Sequence, residues 1–360
     1  MNKRKNITVI VGTVLVILGL LFMALARTIP GFADGYRIHI YKRQADFWGN
    51  LYGRIPCSVA ECGFYLLLFG VLFRVIRGIR TFRREGNGKQ ILAGELAFYW
   101  CIAGVLFFLF VMHGGINYSA ASFSEEHQLK REGYTLEELA EVCYILEADI
   151  EKWADQVERG TDGLFLEPQE CGKLAAAAME QLGEEYAGLA GHYPVPKGLG
   201  ASWVLSYEQL TGIYSPFTIE ANYNREMTAY NIPFTMCHEL SHLKGYMRED
   251  EANFIAWLAC RRSDEAAFSY SGALMGWIYC GNELYTYDKV TYRKIRDSLP
   301  ESAAADLRAN TEFWDRHEGL TADISETVND TYLKWNQQEL GIQTYDRVVD
   351  LIVNYLLEEE

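Results

Sequence analysis

The five residues His238, Glu239, Leu240, Ser241 and His242 combine two imidazoles and a carboxylate at a spacing that suits metal chemistry. On a helix, residues four apart leave the same face about one turn from each other, so the two rings stand side by side. That fills two corners of a tetrahedral Zn²⁺ site. Glu239 lies beside them, where it can accept a proton from a water on the metal. The competing reading is a pair of surface histidines on an amphipathic helix. Local context favours the metal. Pro233 suits the first turn of a helix, where its missing N–H costs nothing. Leu240 and Leu243 supply apolar positions beside the histidine face, and Gly245 can end or bend the helix after His242. Cys237 adjoins His238 but points about 100° away around the helix, which leaves it out of the ligand set.

A bend at Gly245 matters because a third ligand must then come from the next segment. That segment runs Arg248, Glu249, Asp250, Glu251, Ala252, Asn253 and Phe254, followed by an apolar stretch to Cys260. Three acids at a helix start complement the positive end of its dipole. The sharper reading is a carboxylate that completes a His₂Glu set.

The paired histidines with Glu239 and Gly245, followed by Arg248 to Phe254, resemble a family of bacterial membrane proteins of unknown function, the DUF3810 family. The resemblance extends to residues 212–222, 330–337 and 344–349. The family is grouped with zincin-like metallopeptidases of the gluzincin type, in which the third ligand is the first Glu of a Glu-x-x-Ala-Asp or Glu-x-x-Ala-Asn pattern. Carried over, that role falls on Glu249, with Glu251 as the alternative. The resemblance also implies a small sheet ahead of the motif, whose edge strand holds an extended peptide by main-chain pairing.

The activity implied is that of a membrane-anchored, zinc-dependent metallopeptidase. It would hydrolyse peptide or protein substrates, cell-envelope ones included, at the outer face of the cytoplasmic membrane. Tyr214, Tyr332 and Tyr345 are candidate oxyanion donors from the family-like segments, and each reads equally as a structural tyrosine. Asn253, one turn after Glu249, is placed to hydrogen-bond a ligand. The alternative function is a non-catalytic zincin-fold protein that binds or signals at the membrane. An intramembrane protease is disfavoured, because residues 222–226 and 248–251 are too polar for a span.

The elements that position these residues divide the chain in two. Three apolar runs, at about 7–26, 56–76 and 91–111, are each long enough to cross a bilayer. Glu61, Arg74 and Glu95 interrupt the second and third and call for polar partners or an interfacial position. Lys3, Arg4 and Lys5 ahead of the first run look like a signal peptide. Its core is too long and no cleavage site follows, so it reads as a retained anchor. These basic residues, with Arg74, Arg77, Arg80, Arg83, Arg84 and Lys89 around the second loop, assign both segments to the cytoplasm. Residues 27–54 and everything after His113 then lie outside.

Charge changes at the same boundary. Residues 1–113 carry 14 Lys+Arg against 5 Asp+Glu, and residues 114–360 carry 19 against 43, a net of −24. A domain this acidic lacks the basic footprint that nucleic acid requires. The partners expected are therefore substrate and the lipid bilayer. Cysteines read as free buried thiols rather than a disulfide framework.

The fold class expected is mainly α with a small β-sheet: a membrane domain over 1–113, then a zincin-like soluble domain over 114–360. Thr135 and Glu138 form a capping box that opens a helix to about Glu158, with Leu139, Val142, Leu146 and Ile150 on one face. Further helices are predicted over 170–190, from Pro233, from Glu251, and over 266–282, 302–317 and 322–338. Strands are predicted over 201–206 and 212–221.

Overall fold

Glycines decide how the N-terminal helices meet. In the computed structural model, which describes residues 2–86, 88–129, 133–319, 326–327 and 347–359, α1 (Asn2–Thr28) crosses α5 (Gly88–Phe110) backbone to backbone. A Cβ on Gly104 would stand 2.6 Å from the Gly12 carbonyl oxygen, and one on Gly12 would stand 2.9 Å from the Cα of Cys101. Small residues allow such an approach where lipid offers no hydrophobic drive between helices. Trp100 donates to Thr13 Oγ1 across the same interface at 3.0 Å.

The third long helix, α4 (Val59–Glu85), is exposed along its apolar length at Leu66, Phe69 and Phe73. It starts after the Ser58 N-cap rather than at Pro56. It runs nine residues past the apolar stretch because its arginines are good helix formers, and left-handed Gly86 (φ 69°) ends it. Arg74 grips Glu95 of α5 with a two-pronged ion pair at 2.9 and 3.0 Å, which gives two charges inside apolar runs a partner. All three helices are long and apolar enough to cross a membrane.

The stretch between α1 and α4 is helical: α2 (Phe32–Tyr36), a π-helical turn (Arg37–Tyr41) and α3 (Lys42–Tyr52). It packs on residues beyond α5. Tyr36 donates to the Met112 carbonyl at 2.7 Å, and Arg37 donates to the Ala121 carbonyl at 2.9 Å and pairs with Glu126. The segments before α4 and after α5 therefore share one side.

After a short α6 (Phe123–Glu126), α7 (Leu136–Ala154) opens with the expected reciprocal capping box between Thr135 and Glu138 and buries Leu139, Val142, Leu146 and Ile150. Next comes α8 (Cys171–Glu185). The sheet order is β1 (Lys197–Gly198), β3 (Glu220–Tyr223), β2 (Gly212–Ser215), with β1 parallel and β2 antiparallel to β3. The predicted strand over 201–206 is instead α9 (Ser202–Tyr207). Its inward residues Ser202, Leu205 and Ser206 follow a spacing of three to four, with Trp203 and Tyr207 exposed. The predicted strand over 212–221 is a hairpin. Pro216 has no N–H to extend the ladder, and Ile219 turns the chain with φ at 52°.

Then come α10 (Asn231–Leu243), α11 (Glu249–Arg262), α12 (Ala266–Tyr287), α13 (Lys289–Ser298), α14 (Glu301–Asp315) and a closing helix, Arg347–Glu359. Residues 250–260 of α11 are all buried, so this helix is the axis of the core. Phe254, Ile255 and Leu258 each contribute about 1.5–3 kcal/mol of burial there. Helix α12 outruns its predicted end by five residues, and all of the helix predicted over 322–338 except helical residues 326–327 lies outside the described residues. Among the described residues the fold is mainly helical with one three-stranded sheet.

Because the α1–α5 crossing has no room for a side chain, Gly104→Leu is expected to destabilise the full chain in detergent by about 1–3 kcal/mol. Gly70→Leu on α4, where a Cβ meets nothing within 4 Å, is expected to be neutral. Thermal unfolding of the two variants checks this, and equal midpoints would contradict the crossing.

Candidate metal centre

The geometry of the cluster comes from one turn. Helix α10 ends at left-handed Gly245 (φ 96°), where the Gly245 N–H donates to His242 O at 2.9 Å and the Tyr246 N–H reaches back to Ser241 O at 3.2 Å. This is a Schellman-type cap, which needs a residue free of the Cβ penalty. It has a chemical consequence. The Tyr246 carbonyl turns toward the helix it has just left and accepts the Nδ1–H of His242 at 2.8 Å. With Nδ1 carrying the proton, neutral His242 presents a bare lone pair at Nε2.

The chain then reverses into α11, and Glu249 is its first residue. Three donor atoms converge. His238 Nε2 and His242 Nε2 are 3.0 Å apart, Glu249 Oε2 is 3.3 Å from His238 Nε2, and Glu249 Oε1 is 3.6 Å from His242 Nε2. All lie within 4.8 Å of one another. Ligands about 2.0–2.1 Å from a tetrahedral zinc are separated by about 3.3 Å, so these spacings fit that donor set. Electron-rich atoms this close repel one another unless a proton or cation lies between them.

Electrostatics distinguishes the two rings. Burial pushes His242 down to about 4, which keeps it neutral. Burial also opposes charge on His238, but the adjoining Glu249 carboxylate outweighs it and raises that ring. Asn253 adds to the rise from one turn along α11, the supporting position expected for it.

Glu239 is buried, and its Oε2 has no hydrogen-bond partner among the described residues. Desolvation pushes its carboxyl up to about 8. The wall in front of it is backbone. A Cβ on Gly212 would stand 2.5 Å from Glu239 Oε1, so strand β2 passes directly against this carboxyl. Cys237 is fully buried on another side of α10 against Cys260.

Glu251, the alternative ligand, is engaged elsewhere. Its oxygens accept from the Ser124 N–H at 3.0 Å and the Ser124 hydroxyl at 2.7 Å, so it ties α11 to α6. Tyr214 Oη lies 2.9 Å from Tyr41 Oη and 3.0 Å from the His113 carbonyl, as a structural tyrosine would. Tyr332 and Tyr345 lie outside the described residues. Sequence reasoning missed the Tyr246 carbonyl, because any residue supplies one, and the approach of Gly212, which left only an unremarkable glycine as a sign.

Fold and cluster together define a mainly helical protein with three membrane-length helices and a candidate His–His–Glu metal centre. The chain belongs to the family described as a protein of unknown function, DUF3810, whose model matches residues 36–353. No curated protein and no solved structure matches it.

The two acids should separate cleanly by substitution. Glu249→Ala is expected to lower zinc affinity at least 100-fold while the fold is retained. Glu251→Ala is expected to remove two hydrogen bonds from Ser124 to α11, at about 1–3 kcal/mol in total, with a smaller change in affinity. Chelator competition and thermal unfolding read the two effects, and the reverse pattern would exchange the assignments. Gly245→Ala, which forces a Cβ into a left-handed turn 3.0 Å from Arg37 Cδ, should cost roughly 1–2 kcal/mol or more and weaken metal binding with it.

Proposed function

We propose that this chain is a membrane-anchored, zinc-dependent metallopeptidase acting on peptide bonds at the outer face of the cytoplasmic membrane. The observation that carries the reading is the convergence of His238, His242 and Glu249 at ligand spacing, with buried Glu239 beside them. A zinc ion held by those three residues would supply Lewis acidity to a scissile carbonyl and acidify a water.

The remaining chemistry belongs to the chain. Glu239 is the general base: its carboxylate takes the proton from the attacking water and later delivers it to the leaving nitrogen. Burial, reinforced by the nearby Glu249 carboxylate, holds this carboxyl protonated near neutral pH, while positive charge on His238 favours the ionised form it needs. His242 keeps Nε2 available through its bond to the Tyr246 carbonyl. Strand β2 is the outer strand of the sheet next to α10, and its Gly212 abuts Glu239. An extended peptide pairing with that edge would pass its main chain in front of the base. Partial exposure of the Glu249 and His238 side chains leaves the cluster open to such a substrate.

The fold and the charges support this orientation. The first turn of α4 touches the sheet, while its far end, with Arg77, Arg80, Arg83 and Arg84, is roughly 40 Å away at 1.5 Å per residue. Basic residues at that end favour the cytoplasm, which supports a metal centre on the opposite side.

Glu239→Gln in the full chain is expected to retain zinc and to lower peptide hydrolysis by about 10²–10⁴-fold in kcat. A zinc-loaded wild type and variant with equal turnover would refute the role of Glu239. A chain that takes up no zinc would leave a binding or signalling protein of the same fold.

A further inference from the structure

Where α4 enters the domain, two thiols stand side by side. All eight cysteines are free. Five are buried, Cys101 is half-buried, and only Cys57 and Cys62 are exposed. Their sulfurs are 3.9 Å apart. Cys57 immediately precedes the Ser58 N-cap, and the Cys62 N–H donates to the Ser58 carbonyl at 3.1 Å, so the cap holds both residues at one helix end. A disulfide needs its sulfurs at about 2.05 Å. Both side chains are exposed and so have room to rotate about χ1 toward each other.

The surroundings give the pair its significance. Glu220 of β3 accepts from the Val59 and Ala60 N–H groups at 3.1 and 2.8 Å and pairs with Lys197 at 2.6 Å. Glu61 reciprocates, accepting from the Gly200 and Ala201 N–H groups at 2.8 and 2.9 Å. The first turn of α4 is thus the joint between a membrane-length helix and the sheet whose β2 strand abuts Glu239.

We propose that Cys57 and Cys62 are a thiol–disulfide pair, oxidised by a small-molecule or protein disulfide, that staples this joint. One thiolate attacks a sulfur of the donor disulfide and expels one donor thiolate. The second cysteine thiolate then attacks the mixed disulfide, forms the Cys57–Cys62 bond and expels the other. Two electrons and the two cysteine protons pass to the donor, which leaves as two thiols. The pair lies on the side of the membrane that carries the metal centre, and its chemistry is independent of peptidase activity.

The test uses the full chain in detergent, incubated with oxidised glutathione, denatured and alkylated. The expected result is alkylation of six of the eight cysteines, with the peptide carrying Cys57 and Cys62 lighter by two hydrogens. Dithiothreitol should restore all eight, and Cys57→Ser or Cys62→Ser should abolish the lighter peptide. The proposal is overturned by alkylation of all eight, by separate glutathione adducts on the two cysteines, or by a disulfide between chains.

Discussion

Everything at the candidate metal centre depends on the left-handed turn at Gly245. An α-helix carries its ligands in one direction, and His238 and His242 exhaust the face that a single rod can offer. A third donor within 4.8 Å therefore requires the chain to double back within a few residues. Gly245 permits this at a φ of 96°. The reversal places Glu249 at the first position of α11, and it presents the Tyr246 carbonyl to His242 Nδ1. One backbone conformation thus supplies the third donor and sets the tautomer of the second.

The turn is supported from the N-terminal side of the chain. Arg37 and Tyr41 pack over Gly245, Tyr41 donates to the Leu243 carbonyl at 2.9 Å, and Tyr246 donates to Glu126 at 2.6 Å, the same carboxylate that Arg37 grips. The short helices between α1 and α4 are thus part of the wall behind the cluster. On the other flank, Glu220 and Glu61 exchange helix-end contacts between α4 and the sheet, which satisfies the buried Glu220 and half-buried Glu61 carboxylates with backbone N–H groups. The candidate centre is therefore held between the short helices that follow α1 on one side and the first turn of α4 with its sheet on the other.

Local signals were the legible ones. The Thr135–Glu138 capping box, the apolar stripe from Leu139 to Ile150 and the three apolar runs each rest on neighbours within a few residues, and each forms its element. The spacing of His238 and His242 is local in the same sense. Less legible were features set by partners far along the chain. Trp203 and Val204 carry β-forming side chains, yet contacts from Ser202 and Ser206 to residues 224–226 stabilise a helix. The same limit applied to Glu249 and Glu251. They stand two residues apart in one acidic run, and only the position of Ser124, more than 120 residues earlier, distinguishes them. The helical character of residues 32–52 was hidden for the same reason, since they pack on Met112, Ala121, Glu126, Tyr214 and Leu243, all at least 70 residues further along.

The measurement that tests the account most directly is zinc-edge X-ray absorption on the purified full chain after loading with one equivalent of Zn²⁺. The account predicts a first shell of nitrogen and oxygen at about 2.0–2.1 Å, two of the scatterers being imidazoles. It also predicts that one imidazole-type ligand is lost in His242→Ala. A shell containing sulfur at about 2.3 Å, or no retained zinc at all, would contradict it.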